Sequence, residues 1–242
     1  MASQEVTTMP GGYREQPAPT GLSGLVACLW RDETTSSREQ RVLPDGCIDL
    51  IWMDGAVHVA GPDTAAFLVP RRPGRSITGL RFHPGAAPAV LGVPAHLLRD
   101  QRVRLDELWP GTGWAQRIAD DPSAGLTALV TRQVSRTGSA VDPALREVLA
   151  RVRAGSGVAA TAEALGWTER ALHRRCRDTF GYGPSVLRRI LRFRVALRLA
   201  QYGVPFATAA VRAGFADQAH LAREVRALAG VPLGHLVRAP RA

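Results

Sequence analysis

The sequence contains no lysine, only three cysteines and no long hydrophobic run, and the last two of these features exclude whole classes of protein. Cys28, Cys47 and Cys176 lie far apart, with no C-x-x-C pair and no histidine at metal-ligand spacing. Neither a metal site nor a disulfide framework is therefore expected. No stretch approaches the roughly 18 apolar residues of a membrane span, and the first residues lack a signal-peptide pattern. We expect a cytoplasmic protein that does not bind membranes.

The motifs of two enzyme classes are also missing. A hydrolase would need a serine, histidine and acid constellation, and no G-x-S-x-G motif is present. A DNA-repair methyl acceptor would need an activated cysteine, usually beside metal-clustered cysteines, and neither feature occurs. We therefore expect no catalytic residue, no cofactor and no enzymatic activity.

Positive charge is present, but only in one part of the chain. All 31 basic residues are arginine, and the formal net charge is +10. Residues 1–142 contain 14 arginines and 15 acidic residues, whereas residues 143–242 contain 17 arginines and 6 acidic residues. A positive field confined to one region attracts polyanions and speeds their association. This distribution predicts that the carboxyl-terminal part binds nucleic acid or an anionic surface.

Turn residues divide the front part of the chain into short apolar runs, which are typical of strands. The first twenty residues, rich in proline and glycine, are expected to form an irregular arm. We predict an α+β protein: a small strand-rich effector or dimerisation domain finished by helices (1–136), a linker (137–141) and an all-α domain (142–242). The expected strands cover 24–30, 47–53, 57–60 and 77–82, and the expected front helices cover 96–100, 105–109 and 122–136.

Residues 159–180 have the pattern of a helix-turn-helix unit. A first helix is followed by a turn at Gly166 and by a second helix that Thr168 caps. Apolar residues recur every four positions from Leu172 to Phe180, which predicts one buried stripe. Arginine can fork onto guanine or onto phosphate. The opposite face of the second helix carries basic residues, which are the predicted DNA contacts: Arg170, His173, Arg174 and Arg177.

The same pattern returns about fifty residues later. Aligning Gly166 with Gly214, and Leu172 with Leu221, shows an internal repeat. A long amphipathic helix over 185–201 would hold the two units so that their groove helices lie about 34 Å apart, one turn of DNA. The second groove helix, expected over 217–229, presents the remaining predicted DNA contacts: Gln218, Ala219, Ala222, Arg223 and Arg226.

These two units resemble the DNA-binding domain of the AraC/XylS family of transcription regulators. The motifs are LGWT at 165–168, RFRVA at 192–196, AGFADQAHL at 213–221 and GVP at 230–232. The resemblance implies a sequence-specific regulator, either an activator or a repressor. It also implies that Arg174 and Arg223 are among the positions that face bases and phosphates in this family. Ala219 and Ala222 cannot hydrogen-bond to base edges, so the second unit is expected to read less sequence. A non-specific architectural DNA protein would explain the charge but not the duplicated motif.

The front part resembles the front domain of a subgroup of these regulators, over LPDGCIDLIW at 43–52 and GLRFHPGAA at 79–87. In the wider family this domain binds an effector, dimerises, or does both. The partners to consider are double-stranded DNA, a small-molecule effector, a second copy of the chain and RNA polymerase. The polar residues that could surround an effector pocket are Asp45, Cys47, Asp49 and His83. The interpretation that we favour places them instead in a Pro-Asp-Gly turn, in the core and beside a proline turn.

Overall fold

A computed structural model describes residues 7–8, 12–34, 36–110, 113–138 and 140–238 of the chain. The strands of its front part are β1 (Thr7–Thr8), β2 (Tyr13–Pro17), β3 (Val26–Glu33), β4 (Arg38–Val42), β5 (Asp49–Met53), β6 (Ala56–Ala60), β7 (Phe67–Arg71), β8 (Ser76–Phe82) and β9 (Arg102–Arg104). They form a seven-stranded antiparallel sheet, in the order β1-β2-β3-β8-β5-β6-β9, and a separate ribbon in which β4 pairs with β7.

Helices complete the front core. Helix α4 (Pro122–Thr137) begins with proline at its first position, and the Asp121 carboxylate caps it by accepting a hydrogen bond from Ala124 N at 3.1 Å. Its buried residues Leu126 and Leu129 pack with Leu80 and Phe82 of β8 in one hydrophobic cluster. The front helices are α1 (Ala87–Leu91), α2 (Leu105–Leu108), α3 (Trp114–Ala119) and α4 (Pro122–Thr137), with a 3-10 turn at Ala95–Leu97.

The carboxyl-terminal part is all helix, so the predicted α+β fold class is confirmed. Its helices are α5 (Pro143–Arg153), α6 (Val158–Ala164), α7 (Glu169–Phe180), α8 (Pro184–Gln201), α9 (Phe206–Arg212), α10 (Gln218–Ala229) and α11 (Leu233–Arg238). The long helix α8 runs through a second hydrophobic cluster, to which it contributes Leu187, Ile190 and Phe193. In the described part of the chain, no helix is both long and apolar enough to cross a membrane.

Two expectations for the front part are wrong. The irregular arm contains β1 and β2, because β2 pairs with β3 and Tyr13 stacks on Trp30, with ring centroids 5.9 Å apart. The helix expected over 96–100 is a single 3-10 turn. Helix α4 continues to Thr137, the first residue of the expected linker, and ends at Gly138 in the left-handed conformation (φ 64°); the linker itself stays a prediction. Residue 139, in the middle of the expected linker, lies outside the described residues.

Candidate DNA interface and interdomain cavity

The first recognition helix, α7, has the two faces that the sequence predicts. Thr168 caps it by accepting a hydrogen bond from Ala171 N at 3.1 Å. The side chains of Leu172, Cys176 and Phe180 are buried in the helical core. The four predicted DNA contacts are exposed on the opposite side: Arg170, His173, Arg174 and Arg177.

His173 differs from its three arginine neighbours in its surroundings. Its ring lies against Gly183, where an added methyl group would come 2.5 Å from Nε2. Gly183 is the N-cap residue directly before the first residue of α8, Pro184. The imidazole is therefore packed over the junction between α7 and α8, which restricts how far it can reach outward.

The second recognition helix, α10, is built in the same way. The Asp217 carboxylate accepts from His220 N at 2.6 Å and caps the helix. Leu221, Val225 and Leu228 are buried. The exposed face carries the five predicted contact residues, Gln218, Ala219, Ala222, Arg223 and Arg226.

Arginines of α8 hold the second unit in place, and the sequence did not indicate this role. Arg192 donates to Ala213 O at 3.1 Å and also to Gly214 O, at the turn before α10. Arg189 pairs with Glu224 in the middle of α10. The linker helix is thus a scaffold whose arginines are used for internal hydrogen bonds. The spacing of these arginines on one side of α8 does not by itself indicate such a role.

A large cavity lies between the front sheet, the β4–β7 ribbon and the helical part. Its volume is about 1250 Å³. The sheet supplies polar and aromatic residues such as Tyr13, Trp30 and Asp49, and α8 supplies Arg194 and Arg198. A cavity of this size with a few converging polar groups has the features of a small-molecule site.

The centre of the sheet wall is a guanidinium surrounded by carboxylates. Arg81 donates two hydrogen bonds to Asp49, from Nε to Oδ1 at 3.1 Å and from Nη2 to Oδ2 at 3.0 Å. Trp30 Nε1 also donates to Asp49, at 2.9 Å. Glu15 and Asp45 lie farther from the guanidinium, at 3.8 and 3.7 Å. Burial lowers the pKa of Arg81, but the surrounding groups, Asp49 and Asp45 first among them, together raise it well above its ordinary value, so Arg81 keeps its charge.

Three of the four pocket residues named from the sequence meet at this wall. Asp45, Cys47 and Asp49 all line the cavity. Burial raises the pKa of the Cys47 thiol well above its ordinary value, and nearby Asp45 raises it further. Burial also raises the pKa of Asp49, against the opposite effect of Arg81. His83 lies elsewhere: its exposed ring is 3.1 Å from Ser23 O, and it does not line the cavity.

The front part also contacts the ends of both recognition helices. At α10, Arg41 Nη1 donates to Ala229 O at 2.9 Å and the backbone N–H of Ala66 donates to Leu228 O at 2.7 Å. At α7, His96 Nδ1 lies 3.2 Å from Asp178 Oδ1, and Arg99 Nη1 donates to Gly181 O at 3.5 Å. No sequence pattern predicts these contacts, because their partners are distant in the chain.

Comparisons with known proteins agree with the two-part architecture. A family model described as a helix-turn-helix domain matches residues 161–239. A second model, described as a domain of unknown function (DUF6597), matches residues 14–104. No curated protein matches the chain in sequence.

Solved structures of similar architecture include ToxT from Vibrio cholerae. A crystal structure of this protein is 10% identical, covers 86% of this chain and 95% of its own, and has a TM-score of 0.47. A structure of wild-type ToxT with a bound unsaturated fatty acid is 10% identical, covers 85% and 96%, and has a TM-score of 0.46. With recognition helices of the predicted kind and these domain matches, the chain is a DNA-binding transcription regulator that joins a DUF6597 domain to a helix-turn-helix domain.

Proposed function

We propose that this regulator binds DNA sequence-specifically, with α7 and α10 entering successive segments of the major groove. The observation that carries the proposal is the duplicated geometry: each helix is capped, buries one apolar stripe and exposes its predicted contact residues. Helix-turn-helix proteins read bases with the outer face of such a helix. The long helix α8 supports a fixed separation between the two units.

The two helices have different roles in this proposal. The outer face of α7 offers the arginine forks of Arg170, Arg174 and Arg177, which suit guanine edges and phosphates. The outer face of α10 offers Gln218, which suits adenine, together with two alanines that can only contact thymine methyl groups. We therefore propose that α7 carries most of the base recognition.

Selection of bound duplexes from a random DNA library tests this proposal directly. A specific regulator enriches a bipartite motif, with the two halves about one helical turn apart. Its affinity for that motif exceeds its affinity for bulk DNA by a large ratio at physiological salt. An architectural DNA protein would enrich no motif, and its binding would weaken steeply with salt for every sequence alike.

We also propose that the front domain, residues 1–136, receives a small-molecule signal in the interdomain cavity, and that residues 142–242 form the DNA-binding domain. The cavity's volume and its buried Asp49–Arg81 pair support the first point. A thermal-shift screen of metabolites tests the effector site: a ligand should raise the melting temperature of the native protein and not that of the Asp45→Asn variant.

Dimerisation and contact with RNA polymerase stay predictions.

A further inference from the structure

Two contacts of the front domain satisfy backbone groups at the end of α10. The last four carbonyls of a helix have no partner within the helix. Two of them, in Leu228 and Ala229, accept hydrogen bonds from the front domain: one from the backbone of Ala66 and one from the guanidinium of Arg41. A cation at this position also interacts favourably with the negative end of the helix dipole. The end of α10 is therefore fixed by the front domain.

The end of α7 is held at a different place and by different residues. Its contacts come from His96 and Arg99, in and just after the 3-10 turn, and none of them involves the β4–β7 ribbon. Gly181, at the end of α7, also lies against Pro62, where an added methyl group would come 2.5 Å from the proline Cγ. The two recognition helices thus rest on different residues of the front domain, although Pro62 and Ala66 belong to the same segment between β6 and β7.

The side chains that donate at the two supports differ in their relation to the cavity. Arg41 is part of the cavity wall, whereas neither His96 nor Arg99 lines it. The pairing of α8 with α10 through Arg189 and Glu224 holds the middle of α10 but does not reach its last turn. The part of the cavity wall that the β4–β7 ribbon forms is called the ribbon wall. A change at the ribbon wall therefore acts on the last turn of α10 through Arg41.

We propose that Arg41 is a positioning residue for the second recognition helix, and that changes at the ribbon wall of the cavity alter DNA binding through α10 while α7 stays in place. This inference rests on the proposed function, because it requires both helices to contact DNA. Arg41 acts through the Ala229 carbonyl and does not itself touch DNA.

Double-mutant cycles on the full-length protein test the assignment. The probe is a duplex that the unmodified protein selects from a random library. We expect Arg41→Ala and Arg223→Ala to be non-additive, with a coupling of about threefold or more in Kd, because both change the same helix. Arg41→Ala and Arg174→Ala should be additive within about twofold. Arg99→Ala should instead be non-additive with Arg174→Ala and additive with Arg223→Ala. Arg41→Lys keeps a charged donor and should behave like the unmodified protein.

Each outcome decides the question. Equal coupling of Arg41 to both recognition helices, or additivity with both, would overturn the assignment. If Arg41→Ala does not fold, Arg41→Gln removes the charge at nearly the same size and enters the same cycles. Failure of the proposed function is a separate result, because the unmodified protein would then select no duplex motif at all.

Discussion

The guanidinium carbon of Arg192 lies 4.2 Å from the ring centroid of Phe215, and the same side chain donates to the carbonyls of the turn before α10. One arginine of the linker helix thus combines a cation–π contact with hydrogen bonds to backbone groups that end α9. This arrangement fixes the turn of the second helix-turn-helix unit to α8. The first unit has a related contact within itself, since Arg175 lies over the Trp167 ring at 4.4 Å.

Replacement of Arg192 should therefore destabilise the second unit. We expect Arg192→Ala to lower the free energy of unfolding by about 1–3 kcal/mol, the range for losing hydrogen bonds from a charged group. Urea denaturation followed by circular dichroism measures the change. Arg198→Ala is the matched control, because Arg198 is exposed on the same helix. Equal stability of the two variants would show that the Arg192 contacts contribute nothing measurable.

The two recognition helices should respond differently to the loss of an arginine. Arg174→Ala should cost about 1–3 kcal/mol of binding and relax base preference in one half of the site. Arg223→Ala should weaken binding to all sequences alike and lower the salt slope by about one. Titrations against single-base variants of the selected duplex at two salt concentrations separate these effects. Equal relaxation of specificity by both variants would contradict the asymmetry.

The helical part should bind DNA without the front domain. A fragment from residue 140 to residue 242 keeps α5 to α11 and their hydrophobic cluster, which includes Val148 of α5 and Phe193 of α8. We expect it to fold and to bind duplex DNA at low salt, as gel shift or fluorescence anisotropy would detect. Absence of DNA affinity in a fragment that is folded by circular dichroism would show that the division of the chain is wrong.

Alkaline pH should destabilise the protein partly through a buried thiol. Burial raises the pKa of Cys176 from 9.0 to about 12 in the folded state. Above the ordinary cysteine pKa the unfolded chain loses a proton that the folded chain keeps, so the free energy of unfolding falls as pH rises from about 9 to about 12. The contribution of one thiol is at most about 1.4 kcal/mol per pH unit.

Denaturation curves between pH 8 and pH 11 check this expectation. Cys176→Ala should show a shallower decline of stability with pH than the unmodified protein, whatever its stability at pH 8. Cys28, whose pKa burial also raises to about 12, remains in both proteins and contributes equally. Parallel declines in the two proteins would rule out Cys176 as a source of the alkaline sensitivity.

The sequence predicts the recognition helices well because their signals are local. Thr168 caps its helix as expected, Asp217 lies one residue before the second groove helix that was expected to include it, and the buried stripes recur with helical spacing. The ribbon of β4 and β7 was missed, since β4 (Arg38–Val42) is polar at four of five positions and shows no alternation of apolar residues. Its strand character comes from pairing with β7, which no local pattern reveals.

The cavity and the supports of the recognition helices were beyond sequence reasoning for a different reason. Arg41 and Ala229 are 188 residues apart in the chain, and only the packing of the two domains brings them together. Asp45, Cys47 and Asp49 were identified because they cluster in one short segment. Their partner Arg81 lies on β8, and it can be identified only when the pairing of β8 with β5 is known.

Helix α8 carries different tasks on adjacent residues, since Phe193 lies in the core, Arg192 holds a turn and Arg194 faces the cavity. One residue inserted near its start would rotate everything after it by about 100° and advance it by about 1.5 Å. That rotation would bring the guanidinium of Arg192 to the place of the Phe193 ring, and the turn before α10 would lose its contact with Arg192. The length of this segment is therefore as constrained as its composition, and a single-residue insertion or deletion there is a harsher change than most substitutions.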